Sequence, residues 1–448
     1  MLISTFFCLC FLFFYLKNAT NSHEFYKKLS TFAFAFYLKL LICDFEKTST
    51  MYDFDKIIDR SGSFDIKHED LLRDYGRTDL LPMWIADMEW ETPDFIIDAL
   101  LERLEHPVLG YTKTPYDYRQ TIARWILDHH GWKVEEDWVT FIPGIVKGIG
   151  YVINCFLHAG DKVIVQPPIY HPFYLTPQWN GYEVVWNPLQ EERDSEGRLV
   201  GYRMDFDDLE RKCTPDCRLL ILANPHNPAG ICWDKETLVN LAHFAAEHNL
   251  IVISDEIHCD MALFGNKHIP FASVSPEAAR CSITFSAPSK TFNMAGVVSS
   301  WAVVADKELR TRFYDWMGAS ELNEDPMFAS IAAIAALKHG EPWRREMVKY
   351  LEGNIDFMTD FCNSHIPLIQ PLRPQASYLV WLDCNRMGLD HEQLLDFFIN
   401  HAHLALSDGE QFGKKEGHGF MRMNVGCPRS MLRQALTQIE DAVAELGL

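Results

Sequence analysis

No CxxC pair, no His or Cys grouping with zinc-ligand spacing, no internal repeat and no low-complexity linker occurs in this chain. The missing ligand spacings leave no ground to expect a metal. A basic surplus is missing too: 41 lysines and arginines face 62 acidic residues, a formal net charge of −21. A nucleic-acid partner, which needs a positive footprint, is therefore not expected. No apolar run reaches the ~20 residues that a spanning helix needs, so no stable membrane partner is expected. What is present is 48% hydrophobic and 13% aromatic residues, the composition of a folded globular chain. At 448 residues it is too long for one compact core, and two domains are expected.

The twelve cysteines are scattered. Cys213 and Cys217 are the only close pair besides Cys8 and Cys10. Cys155, Cys232, Cys281 and Cys384 sit in apolar runs and read as buried thiols, which suits a reducing cytoplasm.

The first fifty residues differ in texture. They hold five lysines against three acids and 10 of the 30 phenylalanines. Leu2 to Leu16 is almost wholly apolar, and Thr31 to Cys43 is a second apolar stretch without helical periodicity. No basic residue precedes Phe6 as a secretory signal would require. Three readings compete: a divergent signal or anchor, a disordered extension, or translated sequence upstream of a start at Met51. The last is favoured, because globular patterning begins at Met51-Tyr52-Asp53-Phe54. Asn18-Ala19-Thr20 fits a glycosylation acceptor, a triplet common by chance.

From Val139 onward, short apolar runs alternate with helical patterns. Val139 to Ile142, Lys162 to Gln166, Tyr182 to Trp186, Arg218 to Ala223, Leu250 to Ser254, Cys281 to Ser286 and Ser299 to Ala305 read as strands covered on both faces. Helical stretches such as Lys235 to His248 supply the crossovers. The fold class is α/β with a mostly parallel sheet. In such sheets ligands gather beyond the carboxyl ends of the strands. After Ala305 come long helical patterns at Glu341 to Cys362 and Met431 to Leu446, with strands at Ser377 to Asp383 and Gly419 to Asn424. The expected division is a leader at 1–50, a segment at 51–100 that joins a smaller α+β domain at 336–448, and a large domain at 101–335.

Four segments follow strands in a meaningful order. Pro143-Gly144-Ile145-Val146-Lys147-Gly148 opens a helix, whose free N–H groups suit a phosphate; alone it reads as an ordinary turn. Asn224-Pro225-His226-Asn227-Pro228-Ala229-Gly230 is a rigid turn that holds two amides, and Asn227 can donate to an oxyanion. Asp255 ends a strand, where a carboxylate needs a partner or serves as a helix cap. Lys290, in Ser289-Lys290-Thr291-Phe292-Asn293, follows the strand ending at Ser286. A desolvated lysine has a lowered pKa, and its neutral amine can form a Schiff base with an aldehyde. Arg422 lies in a late strand; its fork suits a substrate carboxylate, although an isolated arginine there can also be a plain surface residue.

Together these motifs resemble the fold-type I pyridoxal-phosphate (PLP) enzymes of the class I/II aminotransferase superfamily, over roughly residues 51–448. More narrowly the chain resembles the MalY/PatB branch of cystathionine or cysteine-S-conjugate β-lyases. The branch features are Pro82-Met83-Trp84-Ile85-Ala86-Asp87-Met88, Leu109-Gly110-Tyr111-Thr112, Gln166-Pro167-Pro168-Ile169-Tyr170, Asp255-Glu256-Ile257-His258 and Ala287-Pro288-Ser289-Lys290-Thr291-Phe292-Asn293.

The resemblance implies that Lys290 holds PLP covalently, Asp255 pairs with the ring nitrogen and Asn227 bonds the ring hydroxyl oxygen. Tyr170 stacks on the ring. The turn at Gly144 with the amides of Ile145 and Val146 binds the phosphate, helped by Ser286 or Ser289, between which the sequence does not choose. Tyr111 reaches the phosphate of a neighbouring subunit, so a homodimer with shared sites is implied. Arg422 grips the carboxylate of a small amino-acid substrate. The pattern departs at Ala287, where related aminotransferases have serine, and at His258, where they have tyrosine. Glu89 and Trp90 replace a more usual aspartate and phenylalanine, in a segment expected to shape the entrance.

The implied activity is β-elimination from cystathionine or a related cysteine S-conjugate, giving a thiol, pyruvate and ammonia. An aminotransferase would share the early steps. A non-enzymatic regulator on this fold would carry an N-terminal helix-turn-helix domain, for which the leader shows no pattern.

Overall fold

Ile221 and its neighbours in the central strand show how this chain folds. Leu219 and Ile221 face one layer of the core, while Leu220 and Leu222 face the other, as the period-two geometry of a strand demands. A strand buried on both faces must lie inside a sheet covered twice by helices.

The computed structural model describes residues 52–447. The leader at 1–50, its apolar stretches, the Asn18 triplet and the proposed start at Met51 lie outside the described residues. The main sheet has seven strands: β1 (Val139–Ile142), β2 (Lys162–Val165), β3 (Glu183–Trp186), β4 (Cys217–Ala223), β5 (Ile251–Asp255), β6 (Ser282–Ser286) and β7 (Ser300–Val303). Their spatial order is β1-β7-β6-β5-β4-β2-β3. Only β7 runs against its neighbours, and the remaining pairings are parallel. The α/β class and the mostly parallel sheet read from the sequence are thus observed, with strand ends shifted by a residue or two.

Among the helices, α1 (Asp94–Glu105), α2 (Tyr118–His130), α3 (Ile145–Phe156), α4 (Lys235–Glu247), α5 (Met327–His339), α6 (Glu341–His365) and α7 (Arg429–Leu446) matter most here. Ile149, Val152 and Ile153 of α3 pack on one face of the sheet. Leu238, Leu241 and Phe244 of α4 pack on the other. Asp234 caps α4 by accepting from the Thr237 amide at 2.8 Å, which fixes where the crossover begins.

A second, antiparallel sheet has the order Gln370–Pro371, β8 (Leu379–Asp383), β9 (Phe420–Asn424) and Ser407–Asp408. Trp381 of β8 stacks on Phe420 of β9 with ring centroids 5.2 Å apart. Leu81–Pro82 pairs in parallel with Leu404–Ala405, and the Asn424 amide donates to the Met83 carbonyl at 2.9 Å. The early Pro82–Met88 segment is thereby tied to the late sheet.

The described residues contain no helix long and apolar enough to cross a membrane. Nine described cysteines are free thiols. Cys155 and Cys384 are buried as expected, whereas Cys232 and Cys281 are only half-buried.

Candidate active site

Four strands of the main sheet, β1, β4, β5 and β6, deliver their carboxyl ends to one place. Gly144 follows β1, Asn227 follows β4, Asp255 closes β5, and Lys290 follows β6. They line a cavity of about 500 Å³ together with Ile145, Val146, Tyr170, His258, Ser289 and Arg422. Ten sequence-expected residues from distant parts of the chain therefore meet there.

Two do not. The Ser286 hydroxyl lies outside the cavity, donating to the Glu256 carbonyl at 3.3 Å and lying 3.7 Å from the Cys259 sulfur. Of the two serines left open, only Ser289 lines the cavity. Tyr111 is fully exposed and does not line the cavity of its own chain.

The end of the cavity at Gly144 is built by backbone. Gly144 has φ 115°, in the region that side chains avoid, and no side chain caps the helix α3 that it opens. The first amides of α3 are thus left to a ligand at the positive end of the helix dipole. Ser299 lines the same cavity, and its buried hydroxyl has no partner. The sequence offered no signal for Ser299, because a lone serine before a strand is unremarked.

The charged groups are few and under-paired. Burial pushes the Asp255 carboxyl up to about 7, opposed by a hydrogen bond from the Ile257 amide at 3.0 Å and by the charge of Lys290. A buried carboxylate like this calls for a cation, and a protonated ring nitrogen answers it. Burial lowers the Lys290 amine to about 8, against the upward pull of Asp87 and Asp255. Its Nζ donates to the Ala86 carbonyl at 2.5 Å. Burial, with Lys290 and Arg422 nearby, lowers His258 to about 3, so this imidazole is neutral; its Nδ1 lies 3.1 Å from the Ser377 hydroxyl.

Arg422 is buried rather than displayed on a half-exposed strand. Its guanidinium donates to Asn227 Oδ1 at 3.0 Å, the Trp84 carbonyl at 3.1 Å and the Ser407 hydroxyl at 2.9 Å. None of these partners is an acid, and Nε has no partner. Burial accordingly lowers its pKa to about 10. A buried guanidinium without a carboxylate is a carboxylate site in waiting. A phosphorylated pyridine aldehyde fits the cavity on all counts: a reactive amine, an anion for the ring nitrogen, free amides for phosphate and an aromatic wall at Tyr170.

The Pro82–Met88 motif is explained as well. Asn424 Nδ2 donates to the Ile85 and Asp87 carbonyls at 2.6 Å each. Asn293 Nδ2 donates to the Met88 carbonyl at 2.9 Å and the Trp90 carbonyl at 2.6 Å. Held this way, the Ala86 carbonyl accepts from both Lys290 and the Tyr378 hydroxyl, the latter at 2.9 Å. Glu89 and Trp90, in the segment expected to shape the entrance, do not themselves line the cavity, whereas Trp84, Ile85 and Ala86 before them do. Glu89 bonds the buried Lys67 and lies 3.2 Å from Arg60. Trp90 packs on Phe54, 4.9 Å between centroids, and donates to the Phe54 carbonyl at 2.9 Å.

The turn carrying Asn227 is fixed by Gly230. With φ 67°, a Cβ there would lie 2.5 Å from Pro374 Cβ and 2.8 Å from the Ala376 carbonyl oxygen. The Gly230 carbonyl accepts from the Gln375 and Ala376 amides at 2.8 and 3.0 Å.

The family model for class I and II aminotransferases matches residues 82–439, the span that contains every residue of this cavity. The chain belongs to that family. It is 39% identical to cystathionine beta-lyase PatB of Bacillus subtilis over 393 residues, covering 88% of this chain and 100% of the relative. It is 30% identical to MalY of Escherichia coli, covering 88% and 99%. Among solved structures, PLP-containing cystalysin from Treponema denticola superposes with a TM-score of 0.84 at 29% identity, covering 88% and 100%. A PLP-bound C-S lyase from Staphylococcus hominis superposes with a TM-score of 0.80 at 31% identity, covering 88% and 98%. This chain thus sits in the fold-type I, MalY/PatB branch of the family.

Proposed function

We propose that the chain is a PLP-dependent carbon–sulfur β-lyase that cleaves cystathionine or related cysteine S-conjugates to a thiol, pyruvate and ammonia. The observation that carries this reading is Arg422, a buried guanidinium without an acid, lining the same cavity as the low-pKa amine of Lys290. Likeness to PatB and to the C-S lyase supports elimination over transamination.

Bound PLP supplies an aldehyde for the substrate amine and a protonated ring that takes up electrons from the α-carbon. Asp255 would keep that ring nitrogen protonated, and the Asn227 carboxamide, its oxygen turned to Arg422, would present its nitrogen to the ring hydroxyl. Tyr170, on the cavity wall, would supply an aromatic surface for the ring. Arg422 anchors the α-carboxylate and so fixes which bond at the α-carbon is activated. Lys290 would hold the cofactor and, as a free amine, would remove the α-proton as general base; the Ala86 carbonyl accepts from that amine in this structure. The Cβ–S bond would break with its electron pair leaving on sulfur, and the proton held by Lys290 would convert that thiolate to the thiol. Water hydrolyses the remaining aminoacrylate to pyruvate and ammonia.

Tyr111, exposed on its own chain, is assigned to the phosphate of a second subunit in a homodimer. The Leu81–Leu404 pairing supports grouping residues 51–100 with 336–448 as a small domain beside 101–335. Free thiols support a cytoplasmic setting.

The deciding experiment incubates purified holoenzyme with cystathionine and no 2-oxo-acid acceptor. Pyruvate and homocysteine are the expected products; strict dependence on an acceptor would establish a transaminase instead.

A further inference from the structure

Ser377 stands just before β8 with φ 77°, a left-handed backbone that residues other than glycine rarely adopt. Two contacts hold it there. Its amide donates to the Met261 carbonyl at 2.9 Å, and its buried hydroxyl lies 3.1 Å from His258 Nδ1. We propose that Ser377 is a positioning residue: it fixes His258 as the tautomer that donates Nε2–H into the cavity, to the ring hydroxyl oxygen of bound PLP. The inference rests on the PLP reading of the cavity and adds to it a residue that touches neither cofactor nor substrate.

The proton count of the pair decides the tautomer. Burial, followed by the charges of Lys290 and Arg422, lowers His258 to about 3, so the imidazole carries a single ring proton. Ser377 Oγ makes no other hydrogen bond among the described residues. Were it to accept from Nδ1–H, its own proton would be left in the interior without an acceptor, which a buried hydroxyl avoids. Donating to Nδ1 satisfies both groups and leaves the ring proton on Nε2. That nitrogen has no partner among the described residues, yet it is not sealed from solvent, so it opens onto the cavity that the ring lines.

The surroundings of His258 say what Nε2–H can reach. Lys290 after β6 and Arg422 in β9 are the charges that act on it, and Tyr378 stands edge-on at 6.2 Å between centroids. Of the polar atoms of PLP, the ring nitrogen suits Asp255 and the phosphate suits the amides after Gly144. The ring oxygen, bonded next to the carbon that Lys290 would take, is the acceptor left for a donor close to Lys290. It can take a second donor besides Asn227, whose own carboxamide oxygen is turned to Arg422. If Ser377 merely completed a turn, glycine would serve as well or better, because it takes φ 77° without strain.

Ser377→Gly therefore separates the two roles. The visible band of lysine-bound PLP titrates when the lysine nitrogen loses its proton and leaves the ring oxygen its full charge. A donor to that oxygen favours the deprotonated form and holds the midpoint down. In Ser377→Gly holoenzyme the spectrophotometric midpoint should rise by about one pH unit, while the thermal midpoint holds or increases. His258→Ala should raise it as much or more, and the double variant no further than His258→Ala alone, since the serine acts through the imidazole. Neutron diffraction from native holoenzyme crystals decides without any variant: deuterium is expected on His258 Nε2, with the Ser377 deuteroxyl directed at Nδ1. Deuterium on Nδ1, an unchanged midpoint in Ser377→Gly, or additive shifts in the double variant overturns the positioning role while leaving the cofactor assignment intact. Native protein that shows no visible band with PLP overturns the cofactor reading and this inference with it.

Discussion

Arg422 Nη1 donates to the Asn227 carboxamide oxygen across 3.0 Å. The contact joins β9 of the small sheet to the turn after β4 of the large one, so the proposed substrate anchor and the proposed cofactor contact are positioned against each other.

Arg422→Lys replaces a two-pronged fork by a single ammonium. KM for the amino-acid substrate should rise by about tenfold to a hundredfold, with a smaller change in kcat. Arg373 and Arg429 are engaged elsewhere, with Asp356 at 2.7 Å and Asn354 at 2.6 Å. Their alanine variants should leave KM near the native value, and steady-state kinetics on the three variants separate the cases.

Lys290 should be half-labelled by an amine-acylating reagent near pH 8 in cofactor-free protein, because only the neutral amine reacts and burial lowers its pKa to about 8. Asp87 is the largest opposing influence. Asp87→Asn removes a charge that favours the ammonium form, so the labelling curve should move to lower pH. Peptide mapping by mass spectrometry reads both curves. Lys290→Ala should abolish the visible band of the bound cofactor.

Asp255 is held at a cost in the cofactor-free protein. Its folded pKa is raised to about 7, so the folded state binds more protons than the unfolded state from about pH 4 to pH 7. The stability it contributes therefore declines as pH rises through that window. Cofactor-free Asp255→Asn should be more stable than native by on the order of a few kcal/mol at pH 8, with the difference vanishing near pH 4. Thermal melts at several pH values measure this, and the same variant should lose elimination activity.

Ser289→Ala should weaken cofactor binding by about tenfold or more, the loss of a hydrogen bond to a charged group. Ser286→Ala, whose hydroxyl faces Glu256 and Cys259, should change it little. Equilibrium dialysis against PLP distinguishes them.

Lys67 is 1% exposed and bonds Glu89 and the Asp87 carbonyl, the latter at 3.2 Å. Lys67→Met leaves two acids facing Arg60 alone and should cost about 3–5 kcal/mol in denaturant unfolding. Replacing Glu89 by leucine in the same protein should restore most of the loss.

Much of the cavity is legible in the sequence because the proposed cofactor contacts sit at or just after strand ends, and strand ends announce themselves by apolar runs that stop at Gly, Asn, Asp or Ser. The same logic brought Gly144, Asn227, Asp255 and Lys290 to one cavity. Ser286 and Ser289 were inseparable on paper, since three residues decide whether a hydroxyl ends inside the sheet or beyond it. Ser299 carried no local signal, and its importance arises from tertiary proximity alone. The place of Glu89 is equally silent in the sequence. Its partner Lys67 lies 22 positions away, on a helical turn whose burial no short pattern reveals.

Gly230 has a consequence for motion. Because its missing side chain lets two carbonyl–amide contacts clamp the β4 turn to the segment before β8, the seam between the sheets is riveted at this point. Displacement of one sheet along the other is thereby restrained at the place where the Asn227 amide meets the Arg422 guanidinium.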